Sequence, residues 1–249
     1  MNLTLNDNNN AVIPTPKISI GIVVYNGERY IKSALDSIVR QSYRNIELIV
    51  VDGGSTDATQ AIIESYKGYI AKYISEPDDG IYHAMNKVCR IATGEWLIFI
   101  GCDDSLLDSL EQTVSLMTNP DAVYYGDVIA SSYGKIYGGK FNKFRLLRNN
   151  ICHAAIFYPA IVYKKYSYDM KYKLLADYVY NLKLMADKIK FIHTGIVVSI
   201  FNNKGASTNG DVVFNGDRIE LTRKLFGLSW AMIVFLCLLR DKYIKLISA

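Results

Sequence analysis

Residues 18–24 (ISIGIVV) form an unbroken apolar run rich in β-branched side chains, and beyond Asn26-Gly27-Glu28 the positions Ile31, Leu35, Ile38 and Val39 fall at helical spacing. The first pattern predicts a strand covered on both faces, the second an amphipathic helix joined to it by a turn. The alternation recurs three times. Residues 46–51 read as a strand, 52–57 (DGGSTD) as a loop carrying a helix cap, and 58–66 as a helix. Residues 69–74 are the next strand, 75–80 a loop, and 81–92 a helix closed by Gly94. The strand 96–100 ends at Gly101-Cys102-Asp103-Asp104 and leads into a helix over 107–117. Doubly covered strands alternating with helices predict an α/β fold around a doubly wound, mostly parallel sheet.

After Pro120 the rhythm changes. Short candidate strands at 122–130, 135–139 and 155–158 are separated by glycine-rich turns, which predicts antiparallel additions to the sheet. Residues 174–186 return to helical periodicity, 191–201 read as a strand, 202–209 as a polar loop, and 211–226 and 229–247 as two closing helices. The 249 residues suit one such unit without internal repeat or linker. We expect a flexible tail over 1–16, a domain over 17–210, and C-terminal helices over 211–249 packed on the domain or at a membrane surface.

Composition narrows the class. Half of the chain is hydrophobic and 21% charged, which excludes disordered and fibrous proteins. Cys89, Cys102, Cys152 and Cys237 form no CxxC pair, so buried small side chains are expected, not a disulfide framework or zinc site. The opening MNLTLNDNNNAVIPTP lacks the basic start and apolar core of an export signal, so a cytoplasmic location is expected. The longest uncharged apolar run, 227–239, has 13 residues where a spanning helix needs about 20. The net charge of +4 is uneven: residues 124–173 hold nine Lys/Arg, two Asp and nine of the 19 tyrosines. That window is either a solvated basic face with packed tyrosines or a surface for phosphates and sugars.

Ligands of open α/β sheets bind beyond the carboxyl ends of the strands, and here those ends collect acids: Asp52, the pair Asp78 and Asp79, and the pair Asp103 and Asp104. Single aspartates there cap helices; adjacent ones aimed into one crevice repel unless a divalent cation joins them. For Asp103 and Asp104 both readings stand. No GxGxxG, GxxxxGK[ST] or HExxH occurs, which removes support for dinucleotide, phosphate-loop and zincin chemistry.

The strings KISIGIVVYNGERYIKSALDSIVRQSYRNIELIVVDGGSTDAT and EPDDGIYHAMNKVCRIATGEWLIFIGCDD closely resemble the nucleotide-binding half of family 2 glycosyltransferases, most of all the bacterial enzymes of surface-polysaccharide and O-antigen assembly. The likeness covers about 17–104 and continues more weakly to about 210. It implies the GT-A fold, with a nucleotide-sugar-binding half over 17–104 and an acceptor-side half over 105–210. It also implies roles. Tyr25, Asn26 and Glu28 lie near the base and ribose, and Asp52 hydrogen-bonds the nucleobase, typically a uracil imide. Asp79, with Asp78 beside it, lies near the ribose and sugar phosphate. Asp103 and Asp104 match the DxD-type element, with Asp104 on Mn²⁺ or Mg²⁺ and Asp103 between metal and ribose. His153 lies near the sugar diphosphate, and Asp177, at the start of a later helix, is the catalytic base. The duller alternatives are a packed His153 and an Asp177 that only serves a helix dipole.

The resemblance implies a UDP-sugar donor, an inverting transfer and a glycan or polyprenyl-diphosphate-linked acceptor. Peripheral membrane contact and a homo-oligomer are further partner expectations. A non-catalytic nucleotide-sugar-binding or scaffold subunit is the rival of another class. A nucleic-acid partner is not expected, because the acidic crevice would repel phosphate.

Overall fold

The computed structural model describes residues 3–4, 13–203 and 210–247. Strands β1 (Leu3–Thr4) and β2 (Ile13–Pro14) pair antiparallel, and the rest of the expected tail up to residue 12 lies outside the described residues. The N-terminal half follows the predicted alternation: β3 (Ile18–Val24), α1 (Ile31–Val39), β4 (Ile46–Asp52), α2 (Thr59–Ser65), β5 (Ile70–Ser75), α3 (Ile81–Ile91) and β6 (Trp96–Gly101). The apolar stripe of α1 buries Ile31, Ala34, Leu35 and Ile38. On the opposite face α3 lies so close that a Cβ on Gly21 would come within 2.7 Å of Val88 Cγ1.

The second half contains β7 (Ser105–Leu106), α4 (Leu110–Ser115), β8 (Val123–Ala130), β9 (Lys135–Tyr137), α5 (Lys143–Arg148) and a 3₁₀ turn at His153–Ala155. It continues with β10 (Ile156–Pro159), α6 (Ala160–Tyr163), α7 (Ala176–Ala186) and β11 (Phe191–Phe201). The hairpin of α8 (Val212–Phe226) and α9 (Leu228–Ile247) ends the described chain. One mixed sheet runs in the order β5-β4-β3-β6-β10-β8-β11-β7, with β9 on β8. Pairs β5/β4, β4/β3, β3/β6 and β8/β11 are parallel, the others antiparallel. This is the expected α/β architecture with antiparallel additions and C-terminal helices.

Two local expectations need correction, and the two readings of the basic window are told apart. The helix expected over 107–117 is shorter, because Ser105 and Leu106 pair with Ile200 and Ser199 and the Asp108 carboxylate accepts from Ser42 N–H (2.8 Å), holding that stretch extended. Strand β11 joins β8 parallel, not antiparallel: the long connection through α7 supplies the crossover that a parallel pair requires. The tyrosines of the basic window are mostly core. Tyr124, Tyr125, Tyr158, Tyr163, Tyr168 and Tyr172 are buried, and Tyr168 stacks on Tyr180 at 4.6 Å between centroids. The loop expected over 202–209 lies outside the described residues from 204 onward. Among the described residues no helix is long and apolar enough to cross a membrane.

Candidate active site

Register decides what meets at the sheet edge. Val24 is opposite Asp52, and Val23 is opposite Gly101, so the loops after β3, β4 and β6 leave the sheet side by side. The first two are joined by hydrogen bonds into one surface. Asn26, at a φ of 49° that Asn tolerates better than most residues, donates its N–H to Ser55 Oγ (2.8 Å) and accepts from Thr56 N–H on Oδ1 (2.9 Å). Gly27 N–H donates to Thr59 Oγ1, Glu28 N–H to Asp57 Oδ2, and Ala58 N–H back to Glu28 Oε2. Tyr25 stands 63% exposed on this surface. Asp52 does not: its carboxylate is fully buried and accepts from Ser55 N–H, Ser55 Oγ and Ser75 Oγ (2.7 Å). Its position makes it the brace that sets the loop on which Asn26 hangs.

The acidic pair after β5 divides. Asp78 accepts from Gly80 N–H (2.8 Å) and abuts the loop after β4 so closely that a Cβ on Gly53 would meet its Oδ2 at 2.7 Å. Asp79 turns to solvent beside His83, 3.7 Å from its Nδ1. Asp78 thus adjoins the loop that carries Ser55 and Thr56, where the sequence reading favours Asp79.

Asp103 and Asp104 cap no helix, since α4 begins only at Leu110. They are held by the end of β11: Asn202 N–H donates to Asp104 Oδ1 (2.8 Å) and Asn202 Nδ2 to Asp103 Oδ2 (2.8 Å), while Gly101 N–H reaches Asp104 Oδ2 (3.2 Å). The two carboxylates converge over Gly101, where a Cβ would come within 2.7 Å of Asp104 Oδ2 and 3.0 Å of Asp103 Oδ1. His153 Nε2 lies 3.6 Å from Asp104 Oδ2. Burial disfavours its imidazolium, but Asp104 first, then Asp177 and Asp103, outweigh that and raise its pKa. The imidazole is therefore within the field of all three acids.

A hard divalent cation fits this donor set. Magnesium and manganese take oxygen ligands, commonly one or two carboxylates completed by substrate phosphates and water. Asp104 and Asp103 supply two carboxylates converging on the small space beside Gly101. Among the described residues no group of three or more His, Cys, Asp or Glu stands ready as a complete protein cage, so phosphate oxygens and water would complete the shell. The thiols nearby are inert: burial pushes Cys102 up to about 12 and Cys152 higher still.

Asp177, in the first turn of α7, is only 7% exposed and faces three donors. Tyr178 N–H donates to Oδ1 (2.8 Å), the Tyr82 hydroxyl lies 2.9 Å from the same oxygen, and Asn150 Nδ2 donates to Oδ2 (2.8 Å). Behind Asn150 the chain of bonds continues, with Asn181 Nδ2 donating to Asn150 Oδ1 (3.0 Å) and Tyr158 Oη donating to Asn181 Oδ1 (2.8 Å). Burial raises the Asp177 pKa, opposed by His153 and by the hydrogen bonds from Tyr82, Tyr178 and Asn150. A carboxylate with a raised pKa, fixed in direction, is a better proton acceptor than a solvated one.

Sequence reading missed Asn150, Asn181 and Asn202, and passed over Tyr82 as a helix residue. Lone asparagines carry no pattern. Their signal is the partner they meet 27 to 99 residues away in the chain.

Comparison with known proteins identifies the family and the fold. Residues 19–190 match the family model described as Glycosyl transferase family 2. A PGL/p-HBAD biosynthesis glycosyltransferase of Mycobacterium bovis (strain BCG / Pasteur 1173P2) is 36% identical over 206 residues, covering 78% of this chain and 80% of that protein. An uncharacterized glycosyltransferase of Rickettsia typhi is 30% identical over 204 residues, covering 74% and 64%. Among solved structures, S. aureus TarS 1–349 in complex with UDP-GlcNAc superposes with a TM-score of 0.67 at 20% identity, over 84% of this chain and 65% of that one. A mannosyltransferase from Pyrobaculum calidifontis, in complex with GDP-Man and Mn²⁺, superposes at 0.61 and 20% identity, over 78% and 60%. This chain spans less than two thirds of either solved structure, and at such identity the likeness speaks to the fold.

Proposed function

The chain belongs to glycosyl transferase family 2, and from that premise we propose an inverting, metal-dependent transfer of a sugar from a UDP-sugar to an acceptor hydroxyl. The acceptor is a glycan or a polyprenyl-diphosphate-linked sugar, in cell-surface polysaccharide assembly of the O-antigen type. Residues 17–104 form the donor half of the domain and 105–210 the acceptor half.

In this reading the zipped surface of Tyr25, Asn26 and Glu28 receives base and ribose, with Asp52 acting from behind through Ser55. Asp78 and Asp79 border the ribose and sugar phosphate. Asp104, with Asp103 beside it, would hold Mn²⁺ or Mg²⁺, which when bound supplies Lewis-acid neutralisation of the departing diphosphate. His153 adds positive charge at the same place when protonated. The acceptor hydroxyl is too weak an acid to attack unaided, so Asp177 takes its proton as the new glycosidic bond forms. The Tyr82, Tyr178 and Asn150 donors keep that carboxylate aimed. A base on the face opposite the leaving group gives inversion, as in inverting glycoside hydrolysis.

The observation that carries the reading is Asp177: a buried acid, raised in pKa by burial, gripped by three donors and sharing the field of His153 with Asp104. The test incubates the protein with UDP-sugars, Mn²⁺ and candidate acceptors and follows the anomeric configuration of the product by NMR. An inverted product supports it. A retained product sinks the mechanism, and tight donor binding without turnover on any acceptor would favour the scaffold role.

A further inference from the structure

From Trp230 to Leu239 helix α9 is apolar around its whole circumference, yet only part of it is covered. Ala231 and Val234 are buried against the domain, while Leu228, Met232, Phe235, Leu236, Leu239 and Tyr243 are all exposed, Leu228 and Tyr243 by about two thirds. At 100° per residue these six fall on one strip, about 22 Å long at 1.5 Å per residue. A helix apolar all round belongs in a buried setting, and a continuous exposed strip marks a contact surface.

The charges name the occupant. Arg240 and Lys242 fall on the two edges of the strip, and both are exposed. The one acid of the helix, Asp241, projects from the opposite side, where Arg148 takes up one oxygen at 2.9 Å and Arg240 lies 3.5 Å from the other. The strip is therefore apolar, edged by cations and free of carboxylates from its own helix. A second copy laid on it would bring no acid from that helix to either edge, whereas an anionic bilayer offers apolar depth and negative headgroups together. No described helix is both long and apolar enough to cross, which leaves a helix lying flat.

We propose that the outer strip of α9 is a docking surface for an anionic lipid bilayer. The inference deepens the lipid-linked acceptor reading: a protein held flat on the membrane meets an acceptor confined to it in two dimensions. The test measures binding without donor or acceptor, so docking and transfer can fail separately. The full chain is sedimented with vesicles of phosphatidylglycerol and phosphatidylcholine, and with phosphatidylcholine alone, at 0.1 M and 0.5 M salt. Two edge cations should give roughly 30-fold tighter binding to the anionic vesicles, weakening at high salt. The doubly substituted Leu236→Glu/Leu239→Glu chain should lose vesicle binding while its melting curve and UDP titration stay at wild type, since both side chains are exposed. Equal binding to the two vesicle types overturns the proposal. So does a dimer, seen by light scattering, that this variant dissociates while neither protein binds vesicles, because then a second copy covers the strip.

Discussion

Replacing Asp177 by Asn separates the chemistry of this carboxylate from its structural part. The substitution keeps shape and volume. Oδ1 can still accept from Tyr178 N–H and Tyr82, but the new amide faces the amide of Asn150, which Asn181 holds from behind. One mispaired buried donor costs roughly 1–3 kcal/mol. Against that, the variant no longer buries a charge whose burial raises the wild-type pKa. The sign follows: a raised carboxyl pKa penalises the folded state as pH climbs past 3.8, so the variant's relative stability improves over that range. The two effects oppose each other, so the melting curve at neutral pH should stay close to that of the wild type. Turnover behaves otherwise. Loss of the proton acceptor should lower kcat by roughly 10²–10⁴, about 3–5 kcal/mol of barrier, with donor affinity near wild type. In the wild type kcat/KM should rise with pH along a limb above the ordinary carboxylate range, and the variant should lack that limb. Asn181→Leu, which removes the brace behind Asn150 and leaves the buried Tyr158 hydroxyl without its acceptor, should fall between the two in kcat. The measurements are transfer rates against pH, a UDP titration and a melting curve. A variant within fivefold of wild-type kcat would refute the assignment and leave Asp177 a helix-dipole residue worth about 0.3–1 kcal/mol.

Three further outcomes are expected. Asp52→Ala strands the Ser55 and Ser75 donors and should loosen the joined loops, so calorimetry should find UDP and CDP weakened alike; selective loss of UDP would instead put the carboxylate on the base. Asp104→Asn keeps the acceptor for Asn202 N–H but not the charge, so Mn²⁺ should no longer strengthen UDP binding while the fold persists; an unchanged Mn²⁺ effect removes Asp104 as the ligand. Glu47 is buried, yet hydrogen bonds from Ser19 and Thr93, together with Lys72, lower its pKa to about 2. That corresponds to about 3 kcal/mol of stability present above pH 4.5 and lost as pH falls toward 2, so Glu47→Gln should be less stable at pH 7 and the gap should close in acid.

The N-terminal half was legible because its signals are local. Periodicity marks β3, β4 and β6 as doubly covered strands, and parallel topology then carries Asp52, Asp103 and Asp104 to one edge without further information. The second half resisted because its order is set by remote contacts. Nothing near Asp108 announces that Ser42 will hold it extended, and nothing in a tyrosine-rich basic window separates displayed rings from core rings until the sheet that buries them exists. Asp177 was legible as a position by resemblance, whereas its partners were not. Asp52 shows the converse: the motif identifies the residue, but only coordinates reveal a carboxylate already filled by serine donors.

The span between partners also bears on the order in which the protein becomes competent. Asp103 and Asp104 are fixed by Asn202, about a hundred residues later, and Asp177 meets Tyr82 across 95 residues of chain. Contacts of such separation close large loops and form slowly compared with the neighbouring strand-helix units. During synthesis the β3–β6 layer emerges with Asp103 and Asp104 not yet held by Asn202, and that clamp closes only after β11 has left the ribosome and joined the sheet. A nascent chain halted before residue 202 would present the strand-end acids without the clamp that makes them a site.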